Sequence, residues 1–428
     1  MQQVAPEQHH DRGVSLREAL ATGAWLKPPL VTFAAALMAG GTLLALWLLF
    51  ITAHGTLDSF GRPLGTDFSS FWTAGRMVLQ GQASLAYDWD ALFALQRQTH
   101  GVELYFPWSY PPVFLLIATA LAALPYVPAL LVWQAASLAG GLALVWRIVP
   151  SKRALLLALG FPAVLICLGH GQTGFLTAVL LAGGVLALPR HDILAGILFG
   201  LLIYKPQFGL LLPFVLAADG HWRAILAAAA TVLVAFAVTM AIWGWPVWQA
   251  FLDSIPLTRT IVFEAGDTGF EKFQSVFAIV RVWGGSVPSA YLAQGALTAG
   301  VLAVSVLIWR SGTPLRLKGA ALLTGTLLCS PYVLDYDLIV FGMALALFSA
   351  HGLEHGFMRW EKTLLAFGWI APLVARSLGG LLHLPIGLAA MTAVFVSIAL
   401  RVLHEQRAGV AVGAGTAGVS SETASARF

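Results

Sequence analysis

The chain has 428 residues, enough for two or three soluble domains by length alone. Residues of the AVILMFWYC set make up 58%, Asp, Glu, Lys and Arg only 10%, and mean hydropathy is +0.81; so few charges cannot cover a soluble protein of this size. An all-α polytopic membrane protein remains. Disorder, a nucleic-acid groove and a disulfide scaffold are excluded, because the net charge of +4 comes without a Lys/Arg block and the two cysteines, Cys167 and Cys329, lie in or beside apolar runs.

Residues 1–29 form a mixed-charge tail, and no small-residue cleavage motif follows, so the first apolar run reads as a start-transfer helix. A single transmembrane domain is expected over 30–402. Its apolar runs lie at about 30–52, 126–148, 154–168, 173–188, 192–204, 206–218, 222–243, 291–309, 319–334, 337–350, 363–380 and 384–402. Several fall short of the roughly 20 residues a lipid-exposed helix needs, and cross only if neighbours enclose them. A further run, 111–124, opens on two prolines and reads as a re-entrant or interfacial helix. About twelve spans with both termini cytoplasmic then put most of the 24 Lys and Arg inside and just over half of the 20 Asp and Glu outside. A rival scheme crosses at 111–124 and joins 192–218 into one broken span, which puts Lys152, Arg153 and Arg190 on the wrong side. Two outer segments, 53–110 and 244–290, are too long for connectors, and amphipathic helices are expected in the first. The Ala/Gly/Ser-rich tail, 403–428, reads as disordered.

Polar residues collect on the outer side. Asp67 stands before a helix-like stretch and fits two readings, an N-cap carboxylate or a general base at the water–lipid boundary. Asp88 and Asp90 read as capping or turn residues. Tyr110-Pro111-Pro112, Gly169-His170-Gly171-Gln172-Thr173, Tyr204-Lys205-Pro206-Gln207, Ser330-Pro331-Tyr332 and Asp335-Tyr336-Asp337 all interrupt apolar runs facing the same side. Lys205 either snorkels or meets a phosphate, since Pro206 breaks the helix beside it. His170 is a turn residue or a donor to sugar or phosphate. Asp335 and Asp337 point the same way on an extended backbone and diverge on a helix, where only one of them faces any cavity. There is no CxxC pair or His-rich cluster, and no metal or redox centre follows from ligand spacing.

The Asp67–Gly81 segment DFSSFWTAGRMVLQG, Tyr-Pro-Pro at 110–112, Gly-Gln at 171–172, Lys-Pro-Gln at 205–207 and Ser-Pro-Tyr…Tyr-Asp at 330–337 resemble the bacterial glycosyltransferases of family 87. These belong to the GT-C superfamily and include polyprenol-phosphate-mannose-dependent mannosyltransferases. The resemblance implies a GT-C-like fold over roughly 30–400 and a bacterial inner-membrane location. It also implies transfer of a sugar, mannose by default, from a polyprenyl-phosphate donor to a lipid or glycan acceptor on the extracytoplasmic face. Asp67 becomes the catalytic base and Lys205 a ligand for the donor phosphate. His170, Gln172, Gln207, Arg62, Arg76, Tyr110, Asp335 and Asp337 become substrate-pocket candidates. No cofactor is implied, and a divalent metal is left open. The alternative is a transporter or flippase: the breaks at Lys205 and Pro331 fit it, whereas two long outer loops do not.

Overall fold

Backbone groups cut off from water must bond within their own segment, so apolar runs of this kind become helices. The computed structural model describes residues 15–425, with side chains to 408. No strand forms among the described residues; extended contacts are isolated bridges such as Phe273 with Leu334.

Ser15 caps α1 (Leu16–Thr22) through the Glu18 amide at 3.2 Å, and Gly23 ends it. Glu18 then grips the Arg359 guanidinium with both oxygens, at 2.9 and 2.8 Å. The long apolar α2 (Pro28–Ile51) follows. The segment 53–110 is largely helical, as its composition predicts, with α3 (Phe68–Leu79) and α4 (Trp89–His100). Asp88 caps α4, accepting from the Ala91 amide at 2.9 Å. Next comes α5 (Pro112–Ala122), which at about 1.5 Å per residue is far too short to span a bilayer. It lies hard against α3: a Cβ on Gly75 would sit 2.1 Å from the Ala118 carbonyl oxygen.

The long α6 (Tyr126–Ile148) leads to α7 (Lys152–Leu159) and α8 (Pro162–His170), which meet at a 56° bend where Pro162 follows Phe161. Three short helices come next, α9 (Gly174–Ala187), α10 (Asp192–Gly200) and α11 (Leu212–Ala218), the last two separated by 3-10 turns on either side of Lys205. The long α12 (Trp222–Trp243) turns Leu226, Leu233 and Val234 outward, toward lipid. The segment 244–290 holds α13 (Trp245–Thr258), a π turn over Arg259–Glu264 and α14 (Val276–Val282). The chain closes with α15 (Val287–Arg310), α16 (Leu315–Cys329), α17 (Leu338–His355), α18 (Glu361–Leu382) and α19 (Ile386–Ser425).

Among the described residues seven helices are long and apolar enough to cross a membrane, or eight if α7 and α8 form one bent span. The other apolar runs are helical but short. α16 is buried from Leu317 to Cys329, enclosed by its neighbours rather than by lipid. It also stops earlier than the run 319–334 predicts, because Pro331 cannot donate to a continuing helix. α19 runs on to Ser425. Residues 426–428 lie outside the described part.

Two outcomes follow from the packing of the segment 53–110. Gly75→Ala should destabilise by about 1–3 kcal/mol through overpacking against α5, whereas Gly41→Ala, with open space around it, should not; thermal unfolding in detergent reads both. His100 bridges Ser69 Oγ and Thr56 Oγ1, each at 2.9 Å, and burial lowers its pKa from 6.5 to about 4. The unfolded chain therefore takes up this proton first. Stability of the segment should begin to fall as pH drops below 6.5 and finish falling near 4, and hydrogen exchange in α3 and α4 should show that loss diminished in His100→Asn.

Candidate active site

Asp67 has helical backbone angles and its side chain caps nothing, which removes the capping reading. The first turn of α3 is closed instead by Ser70 Oγ, which donates to the Asp67 carbonyl at 2.8 Å. The freed carboxylate accepts at Oδ2 from Gln172 Nε2, 2.9 Å away. Oδ1 accepts no hydrogen bond among the described residues. On its other side Gln172 Oε1 accepts from Tyr110 Oη at 3.0 Å and from the Thr173 amide at 3.1 Å. Burial pushes the Tyr110 phenol well above its ordinary range, so it stays a donor.

The turn carrying Gln172 needs glycine before it. Gly171 has φ +63°, and a Cβ there would lie 2.7 Å from Phe68 Cβ. α6 braces both partners from behind: Tyr126 Oη donates to the Leu64 carbonyl at 2.6 Å, and Trp133 Nε1 to the Gly171 carbonyl at 2.9 Å.

A second strand of contacts begins one residue away. Thr66 Oγ1 and His170 Nδ1 share a hydrogen bond at 2.6 Å, and His170 Nε2 lies 3.5 Å from the Arg376 guanidinium. Arg376 in turn holds Asp335 Oδ2 through Nε at 2.6 Å. Residues 335–337 form a 3-10 turn, which sends side chains two apart in different directions. Asp335 lines the cavity. Asp337, 1% exposed, turns behind it and pairs with Lys205 Nζ at 2.7 Å.

These pieces surround one cavity of about 400 Å³, within the range of small-molecule sites. Of the residues singled out from the sequence, Asp67, Tyr110, His170, Gln172, Lys205, Gln207 and Asp335 line it. Asp337 is reached only through Lys205. Two candidates stand outside: Arg62 is exposed, its amide tied to Asp58 Oδ1 at 2.8 Å, and the Arg76 guanidinium stacks over Trp72, 5.5 Å from the ring centre. Sequence reasoning missed Arg376, Arg259 and Lys272, which also line the cavity. Arg376 had a signal, a lone arginine inside the apolar α18; the other two had none. Lys205, Arg259 and Arg376 each have a carboxylate partner, while Lys272 makes no ion pair among the described residues. No three His, Cys, Asp or Glu side chains among them converge as metal ligands would.

Comparison with known proteins gives one match. The family model described as glycosyltransferase family 87 fits residues 108–331, from the start of α5 past the end of α16, and so takes in Tyr110, His170, Gln172, Lys205 and Gln207. No curated protein and no solved structure matches. A helical chain with at least seven helices fit to cross a membrane, and with more than half its length matched by that model, belongs to glycosyltransferase family 87 and is a membrane glycosyltransferase.

Proposed function

We propose that this glycosyltransferase moves a sugar, mannose by default, from a polyprenyl-phosphate donor to a lipid or glycan acceptor on the extracytoplasmic face of a bacterial inner membrane. The observation that carries this reading is the convergence of Asp67 with four breaks in apolar helices on one cavity. A carboxylate with one oxygen unengaged, beside several cations, suits a displacement in which a proton is taken up and a phosphate leaves.

In that reaction the acceptor hydroxyl oxygen forms a bond to C1 of the sugar while the bond from C1 to the phosphate oxygen breaks. The hydroxyl proton passes to Asp67. The electron pair leaves with the phosphate, giving polyprenyl phosphate. A single displacement from the opposite side inverts C1. The prenyl tail stays in lipid throughout, which is the physical reason to embed such an enzyme.

The same reading gives a GT-C-like arrangement. The eight long or bent spans, with the enclosed short helices α9, α10, α11 and α16, bring the crossings to about twelve and leave both termini cytoplasmic. α5 then stays on the outer side, its first turn against the cavity. The donor phosphate meets Lys272 as the cation without a carboxylate partner, while Lys205 contributes a charge already balanced by Asp337.

Asp67→Asn should keep the fold and lower transfer from a polyprenyl-phosphate sugar by about 10²–10⁴-fold. Near-normal transfer by that variant sinks the base assignment. The two lysines should separate in a paired measurement. Lys205→Met strands a buried carboxylate and should lose about 3–5 kcal/mol of stability, whereas Lys272→Met should unfold normally and raise KM for the donor.

A further inference from the structure

Gln172 lines the cavity between Tyr110 and Asp67, and its amide can point only one way. A backbone N–H is always a donor, so the Thr173 amide at 3.1 Å requires the oxygen, Oε1, on its side. The buried Tyr110 hydroxyl adds a second donor to the same oxygen at 3.0 Å. Reversing the amide would face two donors with a third and oppose Asp67 with an oxygen. Nε2 is therefore committed to Asp67 Oδ2 at 2.9 Å.

We propose that Gln172 is a positioning residue that gives the two oxygens of Asp67 separate roles. Oδ2 is held as a hydrogen-bond acceptor and excluded from proton uptake, and Oδ1 is the oxygen that takes the acceptor proton. The inference rests on Asp67 being the base. Proton transfer to Oδ1 leaves Oδ2 as a carbonyl oxygen, which still accepts from Nε2, so no hydrogen bond of the Tyr110–Gln172–Asp67 chain breaks during the step. A proton on Oδ2 would instead make that oxygen a hydroxyl, a poorer acceptor for Nε2. A hydrogen bond donated to a carboxylate is stronger than the same bond donated to its acid form.

Other ionisable groups near Asp67 are the phenols of Tyr110, Tyr126, Tyr332 and Tyr336. The cavity also brings the pairs Lys205–Asp337, Arg376–Asp335 and Arg259–Glu264, Lys272, and the imidazole of His170, which reaches Thr66. His170 is the one imidazole in this set, so the comparison below is repeated in a His170→Asn background.

Infrared spectra of the purified full chain in lipid nanodiscs, titrated with acid, isolate the protonated Asp67 carbonyl band as the one absent from Asp67→Asn. In Gln172→Leu the midpoint of that band should rise by about one to two pH units, and the band should move to higher wavenumber because its carbonyl has lost a donor. Gln172→Glu, which sets a second carboxylate against Oδ2, should raise the midpoint further. Tyr110→Phe should shift it in the same direction by less, and carries the test if Gln172→Leu fails to fold. An unchanged midpoint and wavenumber in these variants overturns the proposal. Transfer by Asp67→Asn tests the base reading by itself, so the two fail separately.

Discussion

A helix that breaks inside an apolar bundle frees backbone donors and acceptors that lipid cannot satisfy, so every break must be absorbed by protein or face water. That constraint organises this molecule. The ends of α8, α10 and α16, the turns around Lys205 and the prolines before α5 all stop short at the same cavity. Each break there is answered locally: Gly171 passes its carbonyl to Trp133, the Leu334 amide finds Asp337 Oδ2 at 3.2 Å, and the Gln274 amide reaches the Val333 carbonyl at 2.8 Å. The polar site is what the fold does with its interruptions.

Charge obeys the same economy. A buried ammonium or carboxylate is tolerated only when paired and hydrogen-bonded, and two pairs, Lys205 with Asp337 and Arg376 with Asp335, leave opposite ends of one 3-10 turn in different directions. They fix that turn against α18 and against the Lys205 break at once. Asp67 differs in kind, because its partner is a neutral amide that leaves its charge uncompensated. An anion held by hydrogen bonds rather than by a counter-ion is better suited to accept a proton than one locked in a salt bridge.

Much of this was legible in the residues. The apolar runs become helices nearly where they stand, Asp88 caps α4, and the polar interruptions converge as a shared outer face predicts. The number of long spans was less legible, since a run marks where a helix forms and says little about where proline or a tight turn ends it. Partners were hidden altogether. Nothing near Lys205 in the chain announces Asp337, 132 positions away, and nothing near Asp67 announces Gln172. Arg62 and Arg76 were pocket candidates only through the family resemblance. They leave the cavity because the α3 helix turns Arg76 onto Trp72 and the preceding loop turns Arg62 to the surface.

Tyr126 and Trp133 lie seven residues apart on α6, so they share one face, two turns and about 10 Å along the axis. One grips the loop before Asp67 and the other the turn before Gln172. A single rigid rod thus holds both sides of the carboxylate–amide contact. If bilayers of different thickness tilt that rod, both anchor points travel with it, and the 2.9 Å contact is carried along unchanged. Both sides of the Asp67–Gln172 contact are thereby referenced to one helix.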